Sequence, residues 1–195
     1  MMKLVIDQDP HNQGVPLFVR DSVVMHPGLT FLVGCNGSGK TALLREIEKG
    51  CGQLGEFDLY IYHPIEGVNE SVGETAAKSF SMFIEDIYAK VKAADRGSEI
   101  VALADLSEYG ITADSISQLK NRINVSILSD AESREVELYI FVATPDFECL
   151  LDEECLDVQT FNRLHFNNYT SYKKYLMNSR KARDTRYKKL KAKEG

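Results

Sequence analysis

Apolar and polar positions divide this chain into short apolar runs and longer stretches with helical spacing. In the N-terminal third, residues 2–6, 17–20 and 29–33 are brief apolar-rich runs bounded by Asp, Pro, Asn and Gly, and they read as strands. The third run leads straight into GCNGSGKT at 34–41. Residues 40–48 then place Leu43, Leu44 and Ile47 on one side of a helix, which Gly50 and Gly52 are expected to end. Residues 58–62 predict another short strand. Phe80, Phe83, Ile84, Ile87, Tyr88 and Val91 recur at spacings of three and four, so a long amphipathic helix follows, stopped by Arg96-Gly97-Ser98.

The run 100–104 is apolar throughout and ends in Asp105, the pattern of a parallel strand buried on both faces. A helix from Ala113 to about Leu128, with Thr112 as its N-cap, is expected next. A buried strand at 137–143, two short strands near 155–158 and 164–166, and a Tyr-, Lys- and Arg-rich helix from Tyr169 complete the order. Strands alternating with helices predict an α/β fold with a largely parallel central sheet.

Composition narrows the class. The 195 residues suffice for one domain with a real core, and 44% hydrophobic with 27% charged residues reads as an ordinary soluble protein. No apolar run approaches the roughly 20 residues that span a bilayer, and the start MMKLVIDQDP has no apolar signal region. A cytoplasmic protein without a membrane partner is expected. Cys35, Cys51, Cys149 and Cys155 show no CxxC spacing and read as free thiols, with Cys35 inside the glycine-rich stretch, where oxidation would block it. The net charge of −6 is uneven: ten of the 23 basic residues but two of the 29 acidic ones lie in 173–195. That basic end is either a solvated helix or a contact for nucleic acid or a protein partner.

Gly34-Cys35-Asn36-Gly37-Ser38-Gly39-Lys40-Thr41 matches GxxxxGK[ST] at every fixed position, between a predicted strand and a predicted helix. Glycines let backbone N–H groups face phosphate oxygens, Lys40 brings a positive charge to the β and γ phosphates, and the Thr41 hydroxyl ligates Mg²⁺. The helix starting near Lys40 adds the positive end of its dipole. ATP and Mg²⁺ are therefore the expected cofactors.

GxNGSGKT after the apolar GLTFLVG strand resembles the ABC-type ATPases, in particular the soluble branch with the SMC and RecF proteins. The resemblance covers roughly residues 1–160. It implies a P-loop NTPase with an N-terminal antiparallel β portion, and a helical subdomain reduced here because the span from Cys51 to Ser71 is so short. Such compact heads occur among bacterial and phage proteins. The implied division is an ATPase domain at 1–168 and a basic helix or tail at 169–195.

The resemblance also implies three further elements. Ser71-Val72-Gly73-Glu74 fits the SxGE form of a signature loop, in which Ser71, Gly73 and Glu74 would face the γ-phosphate of another subunit; a plain helix cap reads the same way. Asp105 ends the run that resembles a Walker B strand and would orient Mg²⁺. The family's general base falls at Leu106, which accepts no proton, so Glu108 is either the displaced base or an exposed loop carboxylate. Residues 138–144 resemble the strand that precedes a phosphate-sensing His, but Pro145 stands in that place, leaving Thr144 or Asp146 as substitutes. His63 stands nearest the position of the family's glutamine.

Three function classes follow. The first is an ATPase that pairs head to tail as an ATP-dependent homodimer, with slow turnover resting on Lys40, Mg²⁺, the facing signature loop and Glu108. The second is a non-hydrolysing, ATP-gated binding module that uses the basic end. The third is a small P-loop kinase, which needs an Arg-rich lid; the one Arg cluster, Arg180, Arg183 and Arg186, lies far downstream.

Overall fold

Successive side chains along the central strands point to opposite faces, and this alternation builds two apolar layers in the computed structural model, which describes residues 1–10, 16–55, 57–63, 72–106, 113–144 and 146–194. On β5 (Glu99–Asp105), Ile100, Ala102 and Ala104 face one layer while Val101 and Leu103 face the other. On β6 (Glu137–Ala143), Leu138, Ile140 and Val142 alternate in the same way with Tyr139, Phe141 and Ala143.

The sheet has six strands in the order β4-β5-β6-β3-β7-β8, with β3 at Gly28–Val33, β4 at Phe57–Ile61, β7 at Cys155–Asp157 and β8 at Arg163–Leu164. All pairings are parallel except β7 with β8. A separate antiparallel pair, β1 (Met2–Val5) with β2 (Ser22–Met25), joins α1 (Lys40–Leu54) on one face. The other face packs against α2 (Val72–Ala93), α3 (Ala113–Arg122) with its continuation, and the start of α6 (Tyr169–Glu194). The expected α/β fold, largely parallel sheet and N-terminal antiparallel portion are all present.

Three local expectations are corrected. Residues 17–20 form no strand; the partner of β1 is β2, where Val23 and Met25 pair opposite Leu4 and Met2 and bury one side of the ribbon. Phe18 instead enters the core against Phe161, ring centroids 5.5 Å apart. Second, α1 runs through Gly50 and Gly52 because Ile47 and Cys51 continue its buried face, and it stops only at Gly55, whose φ of 67° places it in the left-handed region while its N–H bonds Cys51 O.

Third, the helix from Ala113 does not stop near Leu128. A π-helical turn, Ile123–Ile127, joins α3 to α4 (Leu128–Ser133), and buried Ile123, Ile127 and Ala131, four residues apart, keep one face in the core. A short α5, Phe147–Leu150, was not anticipated; it is N-capped by Asp146, whose carboxylate accepts from Glu148 N. The Thr112 cap lies outside the described residues. No helix among the described residues is long and apolar enough to cross a membrane.

Candidate functional site

The glycine-rich stretch is a close-packed turn between the end of β3 and the start of α1. Ser38 N bonds Cys35 O at 3.0 Å and Leu43 N bonds Gly39 O at 2.8 Å, so the turn passes directly into helix. Two glycines are required by contact and conformation. A Cβ on Gly34 would lie 2.2 Å from Ser38 Oγ and 3.0 Å from Val158 Cγ2. Gly39 has φ +106°, and a Cβ there would meet Leu17 Cδ2 at 2.8 Å. Ser38 Oγ is buried inside the turn without a hydrogen-bond partner among the described residues.

Lys40 is the first residue of α1 and is only 6% exposed. Its Nζ donates to Gly34 O at 3.1 Å and Cys35 O at 3.5 Å. Burial holds the ammonium below the usual lysine range, against the opposing pull of Asp105 and Cys35. Carbonyls answer its hydrogen bonds but carry no full negative charge. The ammonium is thus a buried cation at the rim of a turn that also opens a helix N-terminus, the combination that attracts an anion.

Beside it, Thr41 Oγ1 donates to Asp105 Oδ2 at 2.6 Å. These residues are 64 positions apart and come from different elements, α1 and the end of β5, with β6 between β5 and β3. A hydroxyl and a carboxylate are hard oxygen donors of the kind Mg²⁺ takes. Among the described residues no group of three or more His, Cys, Asp or Glu could hold a metal ion. A cation here would therefore complete its shell with phosphate oxygens and water, as Mg²⁺ habitually does. This donor set, together with the fit of the glycines, suits a magnesium nucleotide.

Gly34, Asn36, Gly37, Ser38, Gly39, Lys40, Thr41 and Asp105 thus meet at the carboxyl edge of the sheet. Gly73 and Glu74 lie in the first turn of α2. That turn is tied to the end of β4, since Tyr62 Oη donates to Ala76 O at 3.2 Å. β4 is three strands from β3, roughly 14 Å at ordinary strand spacing, so α2 begins on the same edge but away from its own glycine turn. Ser71, Glu108 and Pro145 lie outside the described residues. Leu106 is buried in the apolar layer. Thr144 Oγ1 accepts from Asp146 N, and Asp146 caps α5, so both are engaged in local turns. His63 is exposed at the end of β4. All four cysteines are free and buried, Cys35 included; burial raises Cys51 to about 11 and Cys149 and Cys155 to about 12, which keeps those three as thiols.

One part of the site was not anticipated. The basic helix α6 runs along the glycine turn and meets it once per helical turn. Tyr175 Oη donates to Val33 O at 3.0 Å, Ser179 Oγ accepts from Cys35 N at 3.2 Å, and Arg183 Nη1 donates to Asn36 O at 2.7 Å. A Cβ on Gly37 would meet Arg183 Cδ at 3.7 Å and Tyr187 Oη at 3.9 Å. Arg186 Nη1 donates to Leu17 O at 3.0 Å, next to Gly39. The spacing 175, 179, 183, 187 is a helical stripe visible in the sequence, but nothing there says what the stripe packs on.

No protein-family model matches the chain, and no curated protein matches it. Among solved structures, a chain from the E. coli MS115-1 HORMA:CdnC:Trip13 complex aligns with 62% of this chain and 43% of its own length, at 15% identity and a TM-score of 0.39. This chain therefore spans less than half of that one, and a match at this level carries no argument about the site.

Proposed function

We propose that the chain is an ATP- and magnesium-binding domain of the ABC-like P-loop type, with slow hydrolysis of ATP and head-to-tail pairing of two subunits. The observation that carries the reading is the 2.6 Å bond between Thr41 Oγ1 and Asp105 Oδ2, formed beside the buried ammonium of Lys40. A hydroxyl from the helix start, a carboxylate from a neighbouring strand end and a lysine folded onto its own loop form the set that a magnesium-bound triphosphate needs.

Each residue then has a task. Gly34 and Gly39 let the backbone turn tightly, Asn36, Gly37 and Ser38 present loop backbone to the phosphates, and Lys40 neutralises the β and γ groups. Thr41 and Asp105 hold the cation. When bound, Mg²⁺ neutralises charge that builds on the transferring phosphoryl group. Slow turnover follows from Leu106, a buried alkyl chain where the family keeps its base; Glu108 is the proposed replacement. Because α2 starts three strands from β3, Ser71, Gly73 and Glu74 are assigned to the γ-phosphate of a facing copy. The exposed side of α6, with Lys173, Lys174, Arg180, Lys181, Lys188 and Lys189, is the surface that a nucleic acid or acidic protein partner would meet.

One observation favours a second reading, phosphoryl transfer to a small acceptor: Arg183 reaches the glycine turn, as an arginine-bearing lid would. Size-exclusion chromatography and phosphate release, for wild type and Lys40→Ala with and without Mg-ATP, test both. The ATPase reading expects an ATP-dependent dimer and slow phosphate release without an acceptor, both lost in the variant. A monomer throughout would remove the head-to-tail pairing, and ADP formed only on adding an acceptor, with no free phosphate released, would favour the kinase.

A further inference from the structure

The basic helix α6 reads from sequence as an appendage, yet its inner stripe is bonded to the glycine turn at Val33, Cys35 and Asn36 in succession. Three consecutive carbonyls of the turn are held by two cations from opposite ends of the domain. Lys40, from α1, takes Gly34 O and Cys35 O, and Arg183, from α6, takes Asn36 O. Loop carbonyls are modest acceptors for full positive charges, because each offers a dipole and not an anion.

We propose that α6 forms a wall of the nucleotide site and that Arg183 ligates the terminal phosphate of a bound nucleoside triphosphate, supplied from the same chain. The inference rests on the nucleotide-binding reading above and names a residue to which the ATPase form of that reading gives no task.

The geometry supports it in three ways. First, Arg183 is positioned. Tyr175 and Ser179 fix α6 one and two turns earlier, and Tyr187 flanks Gly37 one turn later, so the guanidinium is delivered to one place on the turn. Second, its present partners are replaceable. One edge, Nε and Nη2, bonds Asp184 Oδ1 at 3.0 and 2.7 Å, while Nη1 bonds only the neutral carbonyl of Asn36. A phosphate oxygen is a stronger acceptor for guanidinium than either a carbonyl or a half-exposed carboxylate, whose side chain here is 52% exposed.

Third, charge around the turn is out of balance. Arg186 also points inward, onto Leu17 O, and no carboxylate pairs with it among the described residues. Burial lowers its pKa, and the neighbouring Arg183 adds to that pull. A plain solvated basic helix would turn these two arginines outward with Arg180 and Lys181, which are exposed.

The test is nucleotide affinity, read by calorimetry with Mg-ATP and Mg-ADP on the full chain. Lys40→Ala should lose both nucleotides, and wild type binding neither would overturn the nucleotide-binding reading itself. Given wild-type binding, Arg183→Ala should weaken ATP by about tenfold, or about 1.4 kcal/mol, while ADP changes by less than about twofold. Met177→Ala, on the exposed side of α6, should change neither. Equal weakening of ATP and ADP in Arg183→Ala would make the residue a structural clamp and overturn the inference, as would no weakening at all. Asp184→Asn keeps the test open if the alanine variant does not fold. It removes the competing carboxylate, so the preference for ATP over ADP should rise, and an unchanged preference would count against the assignment.

Discussion

Lys40 is the residue on which the site's electrostatics turn. Its ammonium is buried among carbonyls of its own loop and held below the usual lysine range by loss of water. On the nucleotide-binding proposal, a bound phosphate adds counter-charge to that of Asp105 and raises that value, so binding takes up a proton wherever the pH lies between the free and bound values. The sign follows: nucleotide affinity falls as pH rises through the free-state value, and the fall starts below the pH at which an ordinary lysine loses its proton. Calorimetry across the alkaline range checks this. An affinity independent of pH up to the usual lysine pKa of about 10.4 would contradict it. That Lys40, Thr41 and Asp105 meet at one sheet edge was legible in the sequence, because a strand, glycine turn and helix in succession and an apolar run ending in Asp set their places. The lowered pKa was not, since it depends on how tightly the loop closes over the side chain.

Glycine shows, at the level of elements, what sequence reading cannot resolve. Gly50 and Gly52 look like a helix end, yet α1 passes through both, because the buried side of the helix continues to Cys51. The two differ in surroundings. A Cβ on Gly50 would meet Leu4 Cδ1 and Cδ2 at 3.3 Å, whereas nothing lies within 4 Å of one on Gly52. Helix-interior glycine costs roughly 0.5–1 kcal/mol relative to alanine. Gly52→Ala should therefore stabilise the protein by about that amount, seen as a higher urea midpoint with an unchanged slope. A lower midpoint would mean that the backbone at 52 departs from the helix described. The long helices and the strands at 99–105 and 137–143 were readable because periodicity records burial directly. The failed strand at 17–20 was not, because an apolar run does not say whether it pairs with a neighbour or sends one side chain, Phe18, into the core.

For the whole molecule, the main gap between sequence and structure is the destination of α6. Composition marks 173–195 as a charged end, and charge hides the inner stripe of Tyr172, Tyr175, Leu176, Ser179, Arg183 and Arg186. Tyr172 is buried against Phe147 and Phe166, and Tyr175 lies against Phe166 with ring centroids 5.3 Å apart. The first half of α6 therefore closes the apolar layer under the sheet, and the second half lines the glycine turn. Shortening the chain separates these roles. Ending it at Asn168 would expose the Phe147 and Phe166 rings, and burying an aromatic ring contributes about 1.5–3 kcal/mol, so a large loss of thermal stability is expected. Ending it at Tyr187 removes only residues beyond the last contact with the turn and should leave both the melting temperature and ATP affinity unchanged. Ending it at Ala182 keeps the aromatic contacts but removes Arg183, Arg186 and Tyr187; that chain should fold and lose affinity for ATP more than for ADP. Equal stability of all three chains would show that α6 is the detachable tail its composition suggests.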